Sequence, residues 1–194
     1  MVEAILCERA RGGLPRQAQV RSFEVDTPKT LAIKQKALQQ AGVELRGVTF
    51  VGADFAHDNW LSQLVHAGFD PTKPTLFLWE GVTPYLDQAA VTETLRTVAG
   101  TAPGSIIAFD YVTTEVLTSQ SLYLRLVRAS LTAGGEPLRF GIDSTPPSSE
   151  RLAELLQSCG LSLVEEATVG KERGAQRALG GFAVAVVTET GPPG

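Results

Sequence analysis

The stretch Thr75-Leu76-Phe77-Leu78-Trp79-Glu80-Gly81 restricts the fold more than any other part of this chain. The run Leu76 to Trp79 is apolar at every position, so neither face of a strand built from it is suited to water. It reads as a buried strand covered on both sides, as in a parallel sheet. Glu80 then stands at the carboxyl end of that strand, the edge at which open α/β sheets bind their ligands. A glycine, the pair Thr83-Pro84, Tyr85 and a helix start at Asp87 follow.

The same punctuation recurs along the chain. Ser22 to Asp26 reads as a strand ending in an acid. Thr27 is a suitable N-cap, and Pro28 suits the first helical position, where its missing N–H costs nothing. The helix should run to about Ala41, with Leu31, Ala37, Leu38 and Ala41 inward, and Gly42 is the expected left-handed stop. Val48 to Val51 is the next strand, followed by Gly52-Ala53-Asp54-Phe55 and a helix from about Asp58 to His66. The helix capped by Asp87 puts Val91, Leu95 and Val98 on one face and closes at Gly100. Ser105 to Asp110 is another strand with a terminal acid.

Beyond it, Glu115 to Leu131 reads as one helix, and 132–141 as a flexible connection. Ser148 or Ser149 should cap a helix that Gly160 stops. Leu161 to Ala167 and Phe182 to Val187 are the last strands, joined through a charged, Gly-rich hairpin connection. The fold class is therefore α/β: a Rossmann-like, doubly wound, mostly parallel sheet with a C-terminal antiparallel hairpin.

Composition removes several alternatives. A chain of 194 residues, 43% hydrophobic and 20% charged, suits one domain with a real core. A net charge of −4 gives no basic surface for nucleic acid or an anionic membrane. No apolar run is long enough to span a bilayer, and the first residues lack a signal-peptide core. Cys7 and Cys159 have no metal spacing, and with His57 and His66 as the two histidines, a structural zinc site or a Ser-His-Asp triad is hard to build. A reducing, cytoplasmic compartment is the expectation.

Asp26, Asp54, Glu80 and Asp110 would line one edge of a doubly wound sheet. Carboxylates there suit a nucleotide, because they accept several hydrogen bonds and offer no competing donor. Each acid taken singly also reads as a helix cap or a solvated turn residue. Trp79 reads as pocket wall or as core.

Three blocks carry a resemblance: Phe23-Glu24-Val25-Asp26-Thr27-Pro28, then Gly52-Ala53-Asp54-Phe55, then Trp79-Glu80-Gly81-Val82-Thr83-Pro84-Tyr85-Leu86, with Ala67-Gly68-Phe69-Asp70-Pro71 before the third. In order and spacing they resemble the leucine carboxyl methyltransferase-like family, which includes bacterial O-methyltransferases. The likeness covers roughly 14–187. It implies a class I enzyme dependent on S-adenosylmethionine (SAM). By the resemblance, Asp26 matches the acid on the SAM ribose, Asp54 and Phe55 the pair around the adenine, Glu80 the acid near the methionine ammonium, and Tyr85 a residue near the substrate pocket. No residue is assigned a catalytic role, and no metal is implied. The acceptor would be a carboxylate or a phenol or enol oxygen of a small molecule or a protein C-terminus; the oligomeric state stays open.

One departure bears on activity. The family carries a Gly-rich loop after its first strand, whose glycines let the backbone approach the cofactor. Here Ile5 to Gly13 stands in that place without the GxG spacing. The expected organisation is an atypical segment 1–21, an incomplete methyltransferase-like domain 22–188 and a disordered tail 189–194. In the family the first strand lies between those ending in Asp26 and Glu80, and residues 2–7 are expected to fill part of that slot. A non-catalytic remnant or binding module is the alternative function. A nicotinamide-dependent enzyme needs an early GxGxxG, which this sequence lacks.

Overall fold

Parallel strands cannot be joined by a tight turn, and the helices that carry this chain back start where local chemistry starts them. The computed structural model describes residues 7–8, 21–55, 57–173 and 176–189. In order these form β1 (Cys7–Glu8), β2 (Ser22–Asp26), α1 (Pro28–Gln40), β3 (Val48–Gly52), α2 (Trp60–His66), β4 (Thr75–Trp79), α3 (Gln88–Ala99), β5 (Ile106–Val112), α4 (Thr114–Thr118), α5 (Leu122–Ala133), α6 (Ser148–Ser158), β6 (Leu161–Val169) and β7 (Gly180–Val187). The Thr27 hydroxyl accepts the Thr30 N–H at 3.3 Å, and Pro28 opens α1 as expected. Asn59 caps α2 by accepting the Ser62 N–H at 2.9 Å, and Asp87 caps α3 by accepting from Ala90 at 2.8 Å. Each satisfies an amide that the helix cannot.

The strands hydrogen-bond in two segments. One is the parallel pair β2–β3; the other has the order β1-β4-β5-β7-β6. β4 and β5 run parallel, while β7 is antiparallel to both β5 and β6, which is the closing hairpin of the sequence reading. β1 is two residues long and pairs antiparallel with β4, Cys7 opposite Leu76, while also touching β2. Of the strand expected over 2–7, residues 2–6 lie outside the described residues. With β1 antiparallel the sheet is mixed.

The core is one cluster. Phe23 and Val25 of β2, Phe77 and Trp79 of β4, and Ile107 and Phe109 of β5 pack with Leu64 of α2, Val91 and Leu95 of α3, and Leu152 and Leu156 of α6. Alternation along β2 sends Glu24 and Asp26 to the opposite face, where Glu24 pairs with Lys34 of α1 at 2.8 Å. No ladder joins β2 to β4 among the described residues, and aromatic rings link them instead. Phe69, after α2, meets Phe23 at 5.8 Å and Phe77 at 6.3 Å between ring centroids, both edge-on. At the other end of the same gap, Phe55 meets Trp79 at 6.4 Å.

Several sequence expectations need correction. Leu76 is 39% exposed and Leu78 half-buried, so β4 is covered on its Phe77 and Trp79 face rather than on both. The reason is the placement of the helices: α2, α3 and α6 feed the core on that face, and α1, on the other, contacts β2 and β3. In α1, Ala37 and Ala41 are exposed and only Leu31 is fully buried. The single helix over 115–131 is two, broken at Ser119-Gln120-Ser121. Arg128 of α5 donates to the carbonyls of Val116 and Ser119, at 2.8 and 2.9 Å, and so satisfies groups the break frees. Neither Ser148 nor Ser149 caps α6 with its side chain. The Glu172 carboxylate, from the hairpin connection, accepts the Ser148 N–H at 3.1 and 3.3 Å.

If Phe69 joins the two segments, truncating it is costly. Phe69→Ala should lower unfolding free energy in urea by about 3–5 kcal/mol. Ile33→Ala, at a position 62% exposed on α1, should change it by no more than about 0.5 kcal/mol.

Candidate functional site

Register brings the four acids to one edge. In the β2–β3 pair, Asp26 lies opposite Gly52, and the Ala53 N–H donates to the Asp26 carbonyl at 2.9 Å. Asp54 therefore emerges beside Asp26. A Cβ at Gly52 would meet the Pro28 ring at 3.0 Å, a tight approach where α1 starts over the end of β3. In the β4–β5 pair, Trp79 lies opposite Phe109, which puts Glu80 beside Asp110. The Phe55–Trp79 contact ties the first couple to the second, since Phe55 follows Asp54 and Trp79 precedes Glu80.

The acids differ in environment. Asp26 is buried, 4% exposed, and its carboxylate accepts the Thr27 N–H at 2.6 Å. Asp54 sits in an exposed turn. Its backbone N–H donates to the Asp58 carboxylate at 2.9 Å, and its own carboxylate meets His57 Nδ1 at 2.9 Å. That hydrogen bond, with the Asp54 charge, holds the His57 pKa above its ordinary value. Glu80 is exposed, and the next peptide turns at Gly81, whose φ of 69° is the left-handed region that favours glycine.

Phe55 is half-buried against Trp60 and Trp79, with centroids 5.6 and 6.4 Å away. Trp79 is core, 2% exposed, although its indole Nε1 finds no hydrogen-bond partner among the described residues. Tyr85 is half-buried. Burial first, and then the Glu136 and Asp110 carboxylates, hold its phenol above the usual value. Its hydroxyl thus stays protonated at neutral pH and is poorly suited to act as a base. A groove of about 730 Å³ opens between the start of α2 and α3; it takes in Phe55 and His57 but neither Asp26 nor Glu80, so it lies beside the strand ends.

The sequence reading assigned Asp26, Asp54, Phe55, Glu80 and Tyr85, and the structure carries the four acids and Phe55 to one sheet edge. It missed two features. One is the bond between His57 and Asp54, for which the place of His57 three residues after Asp54 was a usable signal. The residues holding Tyr85's turn were read as a loose connection: the Arg139 and Phe140 N–H groups both donate to the Pro84 carbonyl, at 2.7 and 3.2 Å. No local pattern marks such a long-range backbone contact.

Comparisons with known proteins point the same way. Residues 13–99 match the profile of the family described as leucine carboxyl methyltransferase. A putative S-adenosyl-L-methionine-dependent methyltransferase of Saccharopolyspora erythraea is 42% identical over 93 residues, which is 47% of this chain and 32% of that protein. One of the same description from Mycobacterium ulcerans is 30% identical over 149 residues, 76% of this chain and 47% of that protein. The chain thus spans between a third and a half of the length of these relatives. Among solved structures, a DUF574 family protein from Streptomyces avermitilis aligns with a TM-score of 0.57 at 20% identity, over 87% of this chain and 65% of that one. An O-methyltransferase family 2 protein from Planctomyces limnophilus aligns at 0.52 and 15% identity, over 86% and 43%. These structural likenesses speak to the fold.

The His57–Asp54 pair has a pH signature. Its folded-state pKa is raised, so the pair's contribution to stability is fully present below the unfolded value of about 6.5 and fades as pH climbs through the raised folded value. The His57 ring resonances should titrate above 6.5 in the intact chain, and return toward it in Asp54→Asn. Unchanged NMR titration curves in that variant would remove the pair.

Proposed function

From the match of residues 13–99 to the leucine carboxyl methyltransferase family model we propose that this chain is a member of that family, binds SAM at the carboxyl ends of β2, β3 and β4 and transfers its methyl group to an oxygen. The observation that carries the reading is the joining of Asp26 and Asp54 to Glu80 across the gap, through Phe55 and Trp79.

The residues fit the polar ends of that cofactor. Asp26 at the end of β2 is the acceptor for ribose hydroxyls, and it is fixed by its own bond to Thr27. Asp54 and Phe55 offer an acceptor and a ring face for the adenine. Glu80, open to solvent at the end of β4, is the acceptor for the ammonium. SAM, when bound, supplies a methyl group already activated by its sulfonium.

The chain's share of the work is then alignment and exclusion of water. A carboxylate acceptor is ionised at neutral pH and needs no base. A phenol or enol needs one, and Tyr85, held protonated, does not provide it. This favours a carboxylate, on a small molecule or a protein C-terminus. A second reading, binding without turnover, is favoured by β1: two antiparallel residues pair with β4 where the family has its first strand.

Calorimetry on the intact chain separates these. SAM and S-adenosylhomocysteine should both bind, and Glu80→Gln should weaken both by roughly ten- to a hundredfold, the worth of a hydrogen bond to a charged group. Absence of heat and of a thermal shift at millimolar ligand would sink the cofactor assignment. Incubation with SAM and a panel of carboxylic acids and phenols, followed by mass spectrometry, should show one added methyl. Binding without any methylated product would leave the non-catalytic reading.

A further inference from the structure

The cofactor reading uses three strand-end acids and leaves Asp110 without a role. Its hydrogen bonds suggest one. Asp110 lies on β5 beside the end of β4, and its carboxylate Oδ1 accepts the Gly81 N–H at 2.7 Å. Its backbone carbonyl accepts the hydroxyl of Thr83, also at 2.7 Å, and Thr83 is fully buried. From the far side, the Pro84 carbonyl is held by the amides of Arg139 and Phe140. The turn that leaves β4 is therefore gripped at three successive points. Glu80 itself is exposed, and its backbone is set by what holds Gly81.

We infer that Asp110 is a positioning residue: by holding the Gly81 amide it fixes the turn that aims Glu80 at the amino-acid end of the cofactor. The inference rests on the proposed SAM site. The Gly81 amide needs an acceptor at this point, and Oδ1 supplies one at 2.7 Å. Gly81 holds a left-handed φ and lacks a Cβ, so once freed this peptide has more conformations to visit than with any other residue type. The role is one of acceptor geometry at Oδ1 rather than of charge. Asn retains an Oδ1 acceptor and Ala does not.

The test compares two ligands that share an adenosine and differ at the amino-acid end. S-adenosylhomocysteine carries the ammonium and carboxylate, and 5′-methylthioadenosine lacks both. Calorimetry on the full chain should show Asp110→Ala weakening S-adenosylhomocysteine about tenfold or more, a loss of about 1.4 kcal/mol. Its affinity for 5′-methylthioadenosine should stay within about twofold. Asp110→Asn should restore S-adenosylhomocysteine binding to within about threefold of wild type.

Equal losses for the two ligands would make Asp110 a residue of the fold only, and overturn the inference. So would an Asn variant as weak as the Ala variant, since charge and not the acceptor would then matter, or an Ala variant that binds both ligands normally. A wild-type chain that binds neither ligand fails the cofactor assignment itself, and the inference falls with it. Should Asp110→Ala not fold, Asp110→Val, which also removes the Oδ1 acceptor of the Gly81 N–H and suits a strand, takes its place under the same outcomes.

Discussion

The structure depends on aromatic contact across a gap that no ladder spans among the described residues. β2–β3 and β4–β5 are each complete parallel pairs, but they are hydrogen-bonded into separate segments. Phe69 bridges them under α2 by edge-on contacts to Phe23 and Phe77, and Phe55 bridges them at the carboxyl edge by its contact with Trp79. Such pairs add about 0.5–1.5 kcal/mol each beyond the area they bury. That is enough to orient two preformed pairs, though it does not replace a ladder's directionality. The carboxyl-edge contact falls between Asp54 and Glu80, so the same rings that join the segments also bring the acids to one edge.

Much of this was legible because the signals are local. Thr27-Pro28, Asp87 and Gly42 fix helix ends through bonds within a few residues, and the structure has them. Acids after apolar runs mark strand ends, and Asp26 and Glu80 stand there. What failed was decided at long range. The cap of α6 comes from Glu172, 24 residues away, so no serine at the helix start foretells it. The break between α4 and α5 is stabilised by Arg128, which a helical pattern reads as one more surface base. The exposed face of β4 could not be seen either: Leu76 looks as apolar as Phe77, and only helix placement distinguishes them.

The chemistry follows from differences among similar side chains. Asp26 is buried and fixed by the neighbouring amide, a rigid acceptor. Asp54 shares its carboxylate with His57 on the surface, which lets its hydrogen bonding respond to pH. Glu80 is exposed, and Asp110 spends its own carboxylate on the backbone that carries it. Four carboxylates at one sheet edge thus differ: one is buried against its neighbouring amide, one is bonded to a histidine, one is open to solvent and one is bonded to the backbone of the next turn.

The central claim is that these strand ends, drawn from both segments, make one cofactor crevice. Backbone amide mapping by NMR during titration with S-adenosylhomocysteine tests it most directly. The account predicts that the amides of Thr27, Phe55 and Gly81 shift together and saturate at a single dissociation constant. Shifts confined to one segment, or separate saturation of Thr27 and Gly81, would contradict it.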